Sequence, residues 1–203
     1  MTDRKMIQLL FLLLFISASS AYAAEGGNVS AVELSAVSAV IYNFQDQLSK
    51  AEALILEQGK IKKAGTWQQD RFIFPAYEEY TQIGMATNKY NDVDEKGIFF
   101  HPVQDGIRRL RFRGVPPGST MTLYYGIDDT GASAEEDFSV YLRVWVGTHE
   151  LRRVRVPKEK GWKKEEINLG PASFLKHDVI VTFEVTSDNI QDSRFSFYAE
   201  IHQ

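Results

Sequence analysis

The chain has 203 residues, 44% of them hydrophobic and 25% charged, with a formal net charge of −4 and no cysteine. That acidity argues against nucleic acid as the main partner, which calls for a basic domain. The lack of cysteine rules out disulfides, a thiolate nucleophile, Cys-ligated zinc, iron–sulfur clusters and lipid attachment through a cysteine.

Met6–Ile16 is a nearly unbroken apolar run, preceded by Arg4 and Lys5 and followed by small residues that end in Ala21-Tyr22-Ala23. A charged start, a short apolar centre and an Ala-x-Ala ending are the three parts of a secretory signal peptide. As a membrane anchor the run is short. It would span roughly 16 Å as a helix, about half of a ~30 Å hydrocarbon core. Cleavage near Ala23 is therefore expected. It would leave residues 24–203 with a net charge of −5, since Asp3, Arg4 and Lys5 depart together. No later apolar run is long enough to span a bilayer. The expected product is a soluble protein, periplasmic or secreted, with a flexible leader over residues 24–39 and a single domain over 40–203.

Apolar residues at Ile41, Phe44, Leu48 and Ala51 stand close to helical spacing, which predicts a short helix around Phe44–Ala51 running into a strand near Ala53–Glu57. Gly59 and Gly65 then mark a turn. Trp67–Lys96 shows no clear period and reads as a long connection with at most one short strand. From Gly97 the character changes. Leu110 and Phe112 alternate with Arg109, Arg111 and Arg113, and Met121, Leu123 and Tyr125 with Thr122 and Tyr124. Phe138, Val140, Leu142, Val144 and Val146 alternate with Ser139, Tyr141, Arg143 and Trp145. Val181, Phe183 and Val185 alternate with Thr182 and Glu184, and Phe195, Phe197, Ala199 and Ile201 with Ser196, Tyr198 and Glu200. A period of two over so many segments is what half-buried antiparallel strands require. Val115-Pro116-Pro117-Gly118, Asp128–Gly131, Pro157–Gly161 and Gly170-Pro171 supply turns between them. With Ile98–Phe100 and His149–Val156 added, eight or nine strands are expected, in an all-β, two-sheet antiparallel sandwich of jelly-roll type.

The order of these segments also resembles a known group of domains. HPVQDGIRRLRFRGVPPGSTMTLYYGIDD, FSVYLRVWVG, GWKKEEINLG, DVIVTFEVTS and the closing RFSFYAEI are similar to galactose-binding-like jelly rolls, including the NPCBM type that accompanies glycoside hydrolases. The shared pattern is a strand ending in Gly-Ile-Asp, a hydrophobic strand, a Gly-Trp turn and a final aromatic strand, over residues 97–203. The resemblance implies non-catalytic binding, most often of carbohydrate, sometimes with a structural calcium.

Several residue groups are candidates for function. On the strand from Phe138 to Val146, Tyr141, Arg143 and Trp145 share one face at about 7 Å intervals. Two aromatics flanking an arginine make a platform for a sugar, because rings cover pyranose C–H patches and guanidinium donates fixed hydrogen bonds to hydroxyls. The same rings could instead pack across strands or beneath a loop. Trp162, in a loop between Lys160 and Lys163, is either a further ligand contact or a plug at the sandwich end. Arg109, Arg111 and Arg113 form a basic ladder. It is neutral if the strands of Glu184 and Glu200 lie alongside, and an anion stripe otherwise. Asp128 and Asp129, with Glu135, Glu136 and Asp137 nearby, offer oxygens to calcium, although the spacing fits no EF-hand. Catalysis finds little support. His101, His149, His177 and His202 are isolated, and there is no HExxH, Gly-x-Ser-x-Gly, phosphate loop or dinucleotide fingerprint. The expected function is an exported binding module, with carbohydrate the leading ligand and an envelope structural or protein-interaction role the alternative. A glycoside-active enzyme is the remote third.

Overall fold

The computed structural model describes residues 38–75, 82–170 and 179–203. The expected signal peptide and residues 24–37 of the leader lie outside the described residues. Among the described residues no helix is long and apolar enough to cross a membrane.

Two antiparallel sheets build the expected sandwich. The larger contains β12 (Lys163–Asn168), β9 (Thr120–Ile127), β14 (Phe195–His202), β7 (Val93–Phe99), β6 (Ile83–Tyr90), β5 (Arg71–Ile73) and β4 (Thr66–Gln68) in that order, with β1 (Val40–Asn43) also paired to β14. The smaller runs β11 (His149–Val156), β10 (Val140–Val146), β13 (Val179–Ser187), β8 (Ile107–Val115), β2 (Glu52–Glu57) and β3 (Lys60–Ala64). The period-two pattern is the cause. In β10, Val140, Leu142, Val144 and Val146 are buried, while Tyr141, Arg143 and Trp145 lie on the other face. In β14, Phe195, Phe197, Ala199 and Ile201 turn inward in the same way. The two inner faces meet where Phe183 of β13 packs on Phe197 of β14, with ring centroids 4.6 Å apart.

Two expectations change. The helical spacing near Phe44–Ala51 yields only one turn of 3-10 helix, Leu48–Lys50, because Phe44 and Leu48 both point into the sandwich core and the chain must straighten at once into β2. The Trp67–Lys96 connection is strand-rich. It forms β4, β5, β6 and most of β7, joined at Gln69–Asp70 and Asn91–Asp92. Both turns place two successive non-glycine residues at positive φ: +48° and +64° in the first, +54° and +63° in the second. That is the backbone of a two-residue hairpin turn, usually announced by Asn-Gly or Asp-Gly. Here no glycine announces it. Fourteen strands result among the described residues, rather than eight or nine.

The core also holds a buried histidine. His101 is 1% exposed, and its Nδ1–H donates to the Pro102 carbonyl at 2.9 Å. Burial pushes its pKa down to about 4. Because the folded value lies below the unfolded one, His101 favours folding above about pH 6.5, and that contribution fades as the pH falls toward 4. Chemical denaturation between pH 7 and pH 4 is expected to show stability falling by an amount on the order of 3 kcal/mol from this group. The slope should flatten in His101→Asn. An equal slope in both proteins would remove His101 as the cause.

Candidate functional site

The structure brings Tyr141, Arg143 and Trp145 together on the outer face of the smaller sheet, as the alternation requires. It also supplies partners for them. Register places Arg153, Arg143, Glu184 and Arg109 side by side across β11, β10, β13 and β8. Glu184 is 2% exposed and sits at the centre of this row. It accepts from Arg109 Nε at 2.8 Å and from the Trp145 indole N–H at 3.0 Å, and pairs with Arg143 at 3.4 Å. The Arg143 guanidinium covers the Trp145 ring, 4.6 Å from its centroid, and its Nε donates to Glu150 at 2.8 Å. Arg153, then Arg143, holds the Glu150 carboxyl below its ordinary pKa. Tyr141 stands apart from this network, 38% exposed. Arg143 and Trp145 are thus packed across strands, and one face of the indole is already occupied.

The basic ladder is neutralised in the same manner. Arg109 pairs with Glu184, while Arg111 and Arg113 share Glu52 at 3.3 and 2.7 Å. Glu52 reaches the ladder through the β2–β8 register, which no local pattern in the sequence reports, and Glu200 belongs to the other sheet, where it accepts from Asn43. The arginines of β11 are engaged too: Arg152 pairs with Glu165 at 2.7 Å, Arg153 with Glu150 at 3.0 Å, and Arg155 donates to Ser139 Oγ.

Trp162 lies on the other sheet, away from these three. Gly161, at φ +90°, turns the chain just before β12 and lays the indole across Gly97 of β7. A Cβ at Gly97 would stand 2.9 Å from the tip of that ring, so the close approach needs glycine. Tyr90 packs against the indole, its ring centroid 4.4 Å from that of Trp162 and tilted by 32°. Burial pushes the Tyr90 hydroxyl up to about 12. Next to Trp162, register sets Lys164, Tyr124 and Tyr198 in a line across β12, β9 and β14. The two tyrosine rings are stacked at 5.6 Å, and the Lys164 ammonium lies 5.9 Å from the Tyr124 centroid. Trp162, Tyr124 and Tyr198, with Glu95 and Lys96, line a groove of about 310 Å³. Alternation in the sequence already turned Tyr124 and Tyr198 to one face. Their adjacency depends on β9 pairing with β14, which no local pattern reports.

Asp128 and Asp129 serve the same end of the larger sheet. Asp128 caps the short helix α1 (Asp129–Ala132) by accepting the Gly131 N–H at 2.9 Å, and pairs with Arg194 at 2.8 Å. Asp129 accepts the backbone N–H groups of Asn91 and Asp92 at 2.7 and 2.8 Å, pinning the tip of the β6–β7 hairpin. These bonds hold its carboxyl below the ordinary aspartate pKa. Among the described residues, no three or more His, Cys, Asp or Glu side chains are grouped so as to hold a metal ion.

No protein-family model matches the chain, and no curated protein matches it significantly. Several solved structures are similar to it. The carbohydrate-binding module CBM51-2 with the INT domain of Clostridium perfringens ZmpB is 13% identical, covering 58% of this chain and 25% of that one, with a TM-score of 0.41. A CBM51 from C. perfringens GH95, in complex with methyl-galactose, is 13% identical over 57% of this chain and 79% of that one, with a TM-score of 0.40. A carbohydrate-binding module of the β-sandwich superfamily is 15% identical over 81% of this chain and 60% of that one, with a TM-score of 0.42. The chain thus spans a quarter of the length of the first of these structures.

Proposed function

We propose that this protein is an exported, non-catalytic carbohydrate-binding module whose ligand seats in the groove of Trp162, Tyr124 and Tyr198. The observation that carries this reading is the concave grouping of three aromatic side chains beside one acidic and one basic residue. A pyranose ring has an apolar C–H face that gains by leaving water against an aromatic surface. Its hydroxyls then find an acceptor in Glu95 and a donor in Lys96. The preformed Trp162–Tyr90 stack holds the indole in place before the ligand arrives, which lowers the ordering cost of binding. Arg143 and Trp145 are assigned a structural role, given the ion network that engages them, while Tyr141 stands exposed beside it. Export rests on the sequence of residues 1–23. No metal is needed, because the Asp128 and Asp129 carboxylates already hold Arg194 and the hairpin tip.

A glycan array, followed by calorimetric titration of the best neutral sugar, tests this. Saturable binding is expected, unchanged by chelator. Trp162→Ala should weaken it by roughly 30-fold or more, matching the ~2 kcal/mol loss of a central aromatic contact. Tyr198→Ala removes a groove wall without exposing Tyr90 and should weaken it several-fold. A folded protein that binds no glycan, or affinity indifferent to both changes, would overturn the reading and favour a protein partner in the envelope.

A further inference from the structure

On the same face of the larger sheet lies a second and roomier cleft, of about 650 Å³, on the β6 side of the β6–β7 hairpin. Its wall comes from one register row. Ser196, Phe99, Gly84 and Arg71 follow one another across β14, β7, β6 and β5. Phe99 therefore stands between two small residues, Ser196 and Gly84, and its half-buried ring lies 5.8 Å from that of His101. Gly84 has no room for a side chain, since a Cβ there would lie 2.9 Å from Arg71 Cβ. Gln69, Asp70 and Asn88 line the cleft as well.

The charge in this cleft is organised. Among the described residues, the guanidiniums of Arg71 and Arg194 and the carboxylate of Asp70 line it. Arg194 is held from behind: its Nε sits 2.8 Å from Asp128 Oδ2, and Asp128 is nearly buried, with 4% of its side chain exposed. Asp128 is itself fixed by the Gly131 N–H. Meanwhile 42% of the Arg194 side chain remains exposed. A guanidinium ion-paired on one side with a buried carboxylate still has donors on its exposed edge for a second, external oxyanion.

We propose that this cleft binds a carboxylate-bearing sugar residue, a uronic acid, at a site separate from the aromatic groove. The guanidinium side takes the carboxylate. The Phe99 ring takes the apolar face of the sugar, and the amides of Gln69 and Asn88 with Asp70 take its hydroxyls. A bare phosphate or sulfate would use the arginines and leave the aromatic wall idle.

The test is a titration of the intact protein with trigalacturonate, its methyl ester and inorganic phosphate. The ester keeps the shape and removes the charge. Trigalacturonate is expected to bind, with the ester weaker by roughly tenfold. Gln69 is exposed in a turn, so its replacement leaves the fold intact. Gln69→Lys should tighten binding about threefold and Gln69→Glu weaken it about threefold, as an added charge at a wet site does. Arg194→Gln should abolish binding, but it also strands buried Asp128, so the Gln69 pair decides. Trp162→Ala should leave trigalacturonate affinity unchanged. Equal affinity for acid and ester, indifference to the Gln69 changes, or displacement by millimolar phosphate would each overturn the proposal. So would loss of binding in Trp162→Ala, which would place the ligand in the aromatic groove instead.

Discussion

Glu184→Ala is expected to destabilise the protein by about 3–5 kcal/mol, the cost of removing one partner from a buried ion network. Glu184 is 2% exposed, yet it serves three donors on three side chains: Arg109, Arg143 and Trp145. Its removal takes the acceptor from the half-buried Arg109 guanidinium and the Trp145 indole N–H, and leaves Arg143 with Glu150. The net worth of the intact cluster is smaller than this figure, because taking the carboxylate out of water already costs several kcal/mol. Comparison with exposed pairs makes the point measurable. Arg113→Ala, at a pair with Glu52 in which both side chains are largely solvated, should change stability by less than about 1 kcal/mol. Urea unfolding of the two variants in one buffer separates the cases. A loss below about 1 kcal/mol for Glu184→Ala would mean that water enters and solvates the arginines, and that the face is far looser than the geometry indicates.

Trp145 shows what the sequence could and could not say about that face. Alternation put Tyr141, Arg143 and Trp145 on one side of a strand, which is a local property and came out as expected. Whether the indole was available to a ligand depended on which strands lie beside β10. That is set by chain closure across long separations. β10 pairs with β13, which brings Glu184 under the indole from 39 residues away. The same logic hid the aromatic groove. Tyr124 and Tyr198 are 74 positions apart in the chain and meet only because β9 and β14 are neighbours. The β4–β7 strands were illegible for a different reason. Val93, Asp94, Glu95 and Lys96 are all exposed, so the distal part of the β6–β7 hairpin carries no alternation, and the turns of both the β4–β5 and β6–β7 hairpins use Gln-Asp and Asn-Asp where glycine would have signalled them. Elements that fold by burying one face announce themselves in sequence. Elements held by backbone hydrogen bonds and a pinning carboxylate do not.

Phe44 carries the second large effect. Its backbone belongs with the larger sheet: it follows β1, and its N–H donates to the Ala199 carbonyl at 3.2 Å. Its ring reaches the smaller sheet, meeting Phe112 edge-on at 4.9 Å and Phe183 at 5.0 Å, while Tyr42 packs against it at 4.9 Å. One fully buried side chain therefore bridges the two layers. Phe44→Ala is expected to cost about 3–5 kcal/mol, toward the upper end because rigid rings on three sides cannot collapse into the space. Phe44→Leu, which refills most of the volume and loses only the edge-to-face contacts, should cost about 1–2 kcal/mol. Thermal and urea unfolding of both variants give the ratio. Near-equal losses would show that the ring geometry, rather than the filled volume, holds the layers. Neither change touches the outer face of the larger sheet. At temperatures where the variants remain folded, sugar affinity in the Trp162 groove should match that of the parent protein. A parallel fall in affinity would mean that the groove depends on how tightly the two sheets are clamped, and that the binding face is tuned from within the core.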